Sequence, residues 1–297
     1  MGWFHRKPAA PILVTMSKAE PIGADIHVNG VRLRYLDWGG TGEPIVLLHA
    51  TGFLGRIYKP IVEALKRVGH VYTYDQRGHG DSATPRVATY SWDDTVNDLK
   101  GFLETMRLRN VRGIGHSAGG TAIGVLSGMR PDLISRAVLM EPVLFDETVV
   151  MGRPADLRER TLKRKRSFDS VAAMFANFES KPPYDTWRRG LLHDYCEYGT
   201  KPNAEGRREL KCDPVLEAQF YGVAGEFAGL ERVLRSEQPL LVMIGERSES
   251  PAIWVADRLA RGLKHGRVVR FPNNGHFLPM EDPNTVAKMA IEFFLED

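Results

Sequence analysis

Cysteine is nearly absent: Cys196 and Cys212 are the only two in 297 residues. A disulfide framework is therefore not expected, and two lone thiols in a chain of this size fit a reducing, cytoplasmic compartment. No C-x-x-C and no H-E-x-x-H occurs, so no metal is expected, nor any other cofactor. No apolar run reaches the ~20 residues that a bilayer-spanning helix needs. Charge of one sign is lacking as well. The 40 Lys and Arg stand against 37 Asp and Glu, a net +3, which is too small a bias to imply a nucleic-acid partner. No internal repeat or low-complexity segment is visible. What remains is a protein that acts on small molecules, as a monomer or homodimer.

What is present is enough apolar residue, 43% of the chain, to fill the core of one large α/β domain with room for an insertion. Residues 25–38 alternate apolar and polar about Asn29-Gly30, a hairpin signal. Short continuous apolar runs follow at 45–49, 71–74, 135–140, 239–245 and 267–271, as expected of strands covered on both faces. Helical patterns separate them at 56–68, 91–108, 121–129, 251–262 and 284–295, with Ser91 placed to cap its helix. This alternation predicts a mostly parallel twisted sheet with helices on both faces. The rhythm stops at 146–235, a charged stretch poor in strand signals, read here as an inserted helical cap. The expected organisation is a flexible leader at 1–24, core at 25–145, cap at 146–235 and core at 236–297.

One pentapeptide stands out: Gly115-His116-Ser117-Ala118-Gly119 matches G-x-S-x-G between a strand-like and a helix-like run. In a nucleophile elbow the serine occupies a strained strand-to-helix turn, and small residues two before and two after it allow the close backbone approach. The helix start beyond it offers free N–H groups to a developing oxyanion. Three other stretches lie at strand ends: His49-Ala50-Thr51-Gly52-Phe53, Asp75-Gln76-Arg77-Gly78-His79-Gly80-Asp81-Ser82, and Gly275-His276-Phe277-Leu278-Pro279-Met280-Glu281.

In order and sheet position these four stretches resemble the α/β-hydrolase family, over essentially all of the chain from about residue 25. The resemblance implies Ser117 as nucleophile and His276 as general base, since a serine hydroxyl attacks well only when a neutral imidazole takes its proton. It also implies an oxyanion hole from the backbone N–H of Ala118 and, two residues after His49, of Thr51. Ala50 stands where the family usually has glycine, so Gly52 or Phe53 could take the second donor's place. His49 and His116 are read as structural, and His79 and His193 as surface or cap residues. The Asp75–Ser82 stretch is read as a structural turn.

The acid is where this chain departs from the family. The usual arrangement after the strand ending at Gly245 is Gly-x-x-Asp, but Ser248 occupies the acid's position. Glu249 is one residue late. The alternative is Glu141, which ends the apolar run 137–140; many haloalkane dehalogenases carry their acid at that strand end, although they use an Asp nucleophile. A carboxylate there needs a partner, and an imidazolium at His276 would supply one. Glu141 is therefore the preferred acid, with Glu249 as its rival.

Within the cap, Arg158 to Arg166 contain six basic residues, read as a solvated helix face. Phe168, Met174, Phe175, Phe178, Tyr184, Trp187 and Tyr195 are expected to pack the cap and in part to line an apolar pocket above Ser117. The resulting expectation is a serine hydrolase that cleaves a small to medium carboxylic ester, or an ester-like small molecule, through an acyl-enzyme. Thioesterase, lactonase, amidase, carbon–carbon hydrolase and cofactor-free lyase or perhydrolase activities remain open for the same site. From another class, so does a non-catalytic small-ligand receptor.

Overall fold

The computed structural model describes residues 20–85, 90–145, 154–223 and 227–296. The first half of the chain runs β1 (Ile22–Val28), β2 (Val31–Gly39), β3 (Pro44–Leu48), a 3-10 turn (Gly55–Tyr58), α1 (Lys59–Leu65), β4 (His70–Tyr74), α2 (Trp92–Thr105), β5 (Val111–His116), α3 (Ala118–Met129) and β6 (Ile134–Met140). An excursion follows: α4 (Pro154–Leu162), β7 (Ser167–Phe168), α5 (Val171–Phe178), α6 (Arg189–Tyr198), β8 (Thr200–Pro202), β9 (Arg208–Leu210) and α7 (Pro214–Val223). The chain then returns through α8 (Gly229–Leu234), β10 (Leu240–Gly245), α9 (Pro251–Gly262), β11 (Gly266–Phe271), α10 (Leu278–Glu281) and α11 (Pro283–Phe294).

The main sheet has eight strands in the order β1-β2-β4-β3-β5-β6-β10-β11. Its β1–β2 and β2–β4 pairings are antiparallel and all others parallel. The expected mostly parallel sheet is the one found. Asn29 and Gly30 both take positive φ, 47° and 74°, the turn geometry whose twist suits a tight hairpin. Alternate residues of the central strands feed two cores. Val46 and Leu48 pack with α2, α3, α8 and α9, and Ile45 and Leu47 with α1, α11 and part of the excursion. Ser91 caps α2 as expected, in a reciprocal pair with Asp94 at 3.1 and 3.0 Å.

Several expected boundaries shift. β1 starts at Ile22, so residues 22–24 belong to the sheet rather than to a leader; residues 1–19 lie outside the described residues. The pattern at 56–68 divides into the 3-10 turn and α1, because Pro60 has no N–H to give and suits only a first helical turn. The excursion is not purely helical. It holds a small antiparallel sheet, β7-β9-β8, whose strands of two or three residues are too short for an alternation to be read. Helix α8, inside the segment expected as cap, packs on α3, with Leu230 and Val233 in the same core as Val125 and Leu126.

The turn after β4 is held as a structural unit. Buried Arg77 pairs with buried Asp98 of α2 through two hydrogen bonds, at 2.6 and 2.7 Å. Asn29 adds a third donor to the same carboxylate at 3.0 Å, which joins the hairpin, the turn and α2. Asp75 caps Gly55 N and Asp81 N, both at 2.9 Å. Removing one member of a buried ion pair leaves the other uncompensated, which typically costs about 3–5 kcal/mol. Arg77→Met is therefore expected to lose about that much stability in urea unfolding at pH 7. A loss below about 1 kcal/mol would show the pair to be dispensable.

Candidate active site

β5 delivers Ser117 to the carboxyl edge of the sheet, and α3 begins at the next residue. Ser117 sits at φ 53° and ψ −120°, a strained conformation for a residue with a side chain. The turn is tight enough to demand the two glycines. A Cβ on Gly115 would lie 2.4 Å from the Gly119 carbonyl oxygen, and one on Gly119 would lie 2.5 Å from that of Leu48. The Ser117 N–H donates to the Met140 carbonyl at 2.9 Å, and the Glu141 N–H to that of Met243 at 2.8 Å. Adjacent strand ends are thereby stepped, so that Ser117, Glu141 and the loop after β10 stand side by side.

His276 lies in the loop between β11 and α10. Glu281 organises that loop by accepting from the Gly275 N–H at 2.9 Å and from Asn274 Nδ2 at 3.1 Å. The imidazole bridges the other two residues: Nε2 is 3.2 Å from Ser117 Oγ, and Nδ1 is 3.0 Å from Glu141 Oε2. A carboxylate has no proton to give, so Nδ1 carries the hydrogen and Nε2 presents its lone pair to the serine hydroxyl. The structure thus brings Ser117, His276 and Glu141 together. Glu249, the rival acid, is exposed and forms no hydrogen bond or ion pair among the described residues.

Glu141 is fully buried and, like Ser117, has a positive φ, here 51°. Its carboxylate is saturated with donors. Oε1 accepts from the Gly245 N–H at 2.6 Å, and Oε2 accepts from the hydroxyls of Ser248 and Ser250, each at 2.6 Å. Burial pushes its pKa up, but His276, Ser248 and Ser250 outweigh burial, and the net result lies below the ordinary 4.5. The sequence reading noted Ser248 only as the gap left by an absent Asp. Structurally Ser248 donates to Glu141, one residue beyond β6, and Ser250 joins it.

The oxyanion-loop candidates are positioned through histidines that stay neutral. His49 Nδ1–H donates to the Ala50 carbonyl at 2.7 Å, while Nε2 accepts from the Gln76 N–H at 2.8 Å. Burial, helped by His79, lowers the His49 pKa to about 3. The Ala50 N–H donates to Tyr58 Oη at 3.2 Å, Tyr58 O–H to His116 Nδ1 at 2.7 Å, and His116 Nε2–H to the His276 carbonyl at 2.7 Å. Desolvation first, then the nearby His276, keeps the His116 pKa well below 6.5, in accord with this neutral tautomer. Thr51 is buried in the same loop, and Ala118 opens α3, where the first N–H groups have no intrahelical acceptor.

Two readings of the sequence are corrected here. His79, expected at the surface or in the cap, is 1% exposed and packs against His49 and Phe220; its glycine-flanked turn folds inward beneath α7. Arg164, expected on a solvated basic face, turns under the excursion and pairs with Glu217 of α7. Of the aromatic residues named in the cap, Trp187 and Tyr195 pack on Phe53 of the loop after β3, and Trp187 also packs on Phe277 beside His276.

The profile of the family described as Alpha/beta hydrolase family matches residues 45–289. The chain is 24% identical over 262 residues to (E)-2-((N-methylformamido)methylene)succinate hydrolase of Acinetobacter baylyi, covering 86% of this chain and 92% of that protein. It is also 24% identical over 286 residues to the bifunctional esterase/perhydrolase DCH of Acinetobacter calcoaceticus, covering 89% and 96%. Among solved structures, E-2-(acetamidomethylene)succinate hydrolase superposes with a TM-score of 0.82 at 20% identity, covering 92% of this chain and 98% of that one. At that identity the structural likeness establishes the fold.

The donors around Glu141 lead to a pH-dependent expectation. Because its folded pKa is depressed, Glu141 contributes stability that is complete above the unfolded value near 4.5 and is lost as pH falls through the lower folded value. A hydrogen bond to a charged group is worth about 1.5–3 kcal/mol. Ser248→Ala is expected to lose about that much stability at pH 7, with the deficit shrinking in urea titrations below pH ~4. A deficit that stays constant down to pH ~3 would show that Ser248 acts by packing and not through the carboxylate.

Proposed function

The chain belongs to the alpha/beta hydrolase family, and from that premise we propose that it is a serine hydrolase cleaving a small to medium carboxylic ester through an acyl-enzyme. The observation that carries the proposal is the continuous Ser117–His276–Glu141 line, with its 3.2 and 3.0 Å links. In this reading His276 Nε2 takes the hydroxyl proton as Ser117 Oγ attacks the carbonyl carbon. Glu141 holds the ring in the Nδ1–H tautomer and stabilises the imidazolium that forms. The N–H groups of Ala118 and Thr51 receive the oxyanion, each worth about a hundred- to a thousandfold in rate. The imidazolium then gives its proton to the leaving alcohol, and a water activated by the same nitrogen releases the acid.

A second reading keeps the same residues and exchanges the ester for an amide. What favours it is the likeness to (E)-2-((N-methylformamido)methylene)succinate hydrolase, whose named substrate carries an amide. Parallel p-nitrophenyl ester and p-nitroanilide series of graded acyl length separate the two readings.

Ser117→Ala is expected to abolish ester turnover and fluorophosphonate labelling while the protein stays folded. Glu141→Gln is expected to lower kcat by about a thousandfold or more, with Glu249→Gln near wild type. Ser117→Ala turnover within about tenfold of wild type would sink the serine mechanism. A larger effect at Glu249 than at Glu141 would transfer the acid's role.

A further inference from the structure

Arg164 is a cation held inside the excursion. Its Nη1 donates to Glu217 and its Nη2 to Tyr195 Oη at 2.8 Å. Tyr221 donates to the other Glu217 oxygen at 3.4 Å, and Tyr184 stacks on Tyr195. Desolvation is the largest influence on the guanidinium and acts against its charge. The Tyr195 hydroxyl, by its hydrogen bond, and Glu217, by its charge, outweigh it and hold the pKa above the ordinary value. Arg164 retains 20% of its side-chain surface, while Glu217 retains 6%. A guanidinium has five N–H bonds; two of them are used here, and the others have no acceptor among the described residues.

This cluster touches the loop expected to receive the oxyanion. A Cβ at Gly52, the neighbour of Thr51, would lie 2.6 Å from Glu217 Oε1. Gly52 also has φ +81°, so only glycine lets the loop and α7 meet this closely without strain. The Glu217 carboxylate therefore stands within one residue of the expected carbonyl-binding position, with the Arg164 guanidinium on its other oxygen.

We propose that Arg164 forms a subsite for an uncharged oxygen acceptor on the substrate, a second carbonyl a few atoms from the scissile one, and that Glu217 sets this preference by charge. The subsite rests on the serine-hydrolase reading for the orientation of the substrate. Unused guanidinium N–H groups demand an acceptor once water is displaced. A carboxylate would satisfy them, but Glu217 already neutralises Arg164. A second anion would leave the desolvated cluster with net negative charge, which burial penalises heavily. A ketone or ester carbonyl satisfies the donors and leaves the balance at zero. Arg164 and Glu217 are thus specificity-determining as a pair: the arginine asks for oxygen, and the glutamate asks that it be neutral.

Three ligands of nearly the same shape test this in the Ser117→Ala protein, by ligand-observed NMR titration. Methyl 4-oxopentanoate carries the neutral carbonyl, monomethyl succinate the carboxylate, and methyl 4-methylpentanoate neither. The keto ester is expected to bind at least about tenfold tighter than the hydrocarbon ester. Monomethyl succinate is expected to bind no tighter than the hydrocarbon. Adding Glu217→Gln makes the subsite cationic and should invert the order, with monomethyl succinate gaining at least about tenfold. The charge-balanced pair Arg164→Met and Glu217→Gln should reduce the keto preference to less than about twofold.

Equal binding of keto and hydrocarbon esters overturns the subsite. Tightest binding of monomethyl succinate with Glu217 intact overturns the role of the glutamate. Both outcomes are read before any variant of the pair is made, so a misfolded variant does not shelter the idea. Failure of the serine-hydrolase reading shows separately, as absent fluorophosphonate labelling of the wild-type protein, and leaves the binding order to be judged by itself.

Discussion

The part of the molecule that faces its chemistry depends on satisfying one buried carboxylate. Glu141 receives a backbone N–H from the end of β10, two hydroxyls from the turn beyond it and an imidazole N–H from the loop after β11. An anion placed at a strand end in an apolar sheet is costly unless several charge-assisted hydrogen bonds surround it. Here the compensation also works as a clamp. It sets how far the β10 turn stands from β6, and it sets the plane of the His276 ring.

A second tie reaches His276 from the opposite side and carries no charge. It runs from the Ala50 N–H through Tyr58 and His116 to the carbonyl of His276. Two histidines of this region outside the proposed triad, His49 and His116, are held neutral by burial, and each uses one nitrogen as donor and the other as acceptor. The loop bearing Thr51 and the loop bearing His276 are therefore joined by a path insensitive to pH over the range in which most proteins work. The carboxylate link responds to acid, and the neutral link does not.

Much of this was legible in the sequence, for identifiable reasons. The elbow showed because its close approaches tolerate only glycine at 115 and 119. The buried strands showed because strands covered on both faces read as continuous apolar runs. Glu141 showed because a lone carboxylate closing such a run needs a partner. What stayed hidden depended on contacts between residues far apart in the chain. Ser248 reads as a missing acid until the Glu141 oxygen is seen 2.6 Å from its hydroxyl. Arg164 sits in a run of basic residues, and nothing local separates the one that turns inward from those that do not. His79 lies in a polar, glycine-rich turn that looks exposed, and only the packing of α7 over it puts it inside. The strands β7 to β9 are shorter than any period that would disclose them.

The excursion between β6 and α8 leaves and rejoins the core at neighbouring points, for Leu144 and Phe227 both pack against Gly229. A detour whose two ends meet imposes little on the body it departs from. The entropic cost of closing such a loop grows only with the logarithm of its length, about 0.6 kcal/mol for each doubling. Segments of different length and composition could therefore be exchanged at these two points without retuning the sheet, and the aromatic face laid on Phe53 and Phe277 could diverge among descendants of one ancestor while the sheet stayed the same. The junction at Leu144 and Phe227 is where the fold permits a change of ligand without a change of architecture.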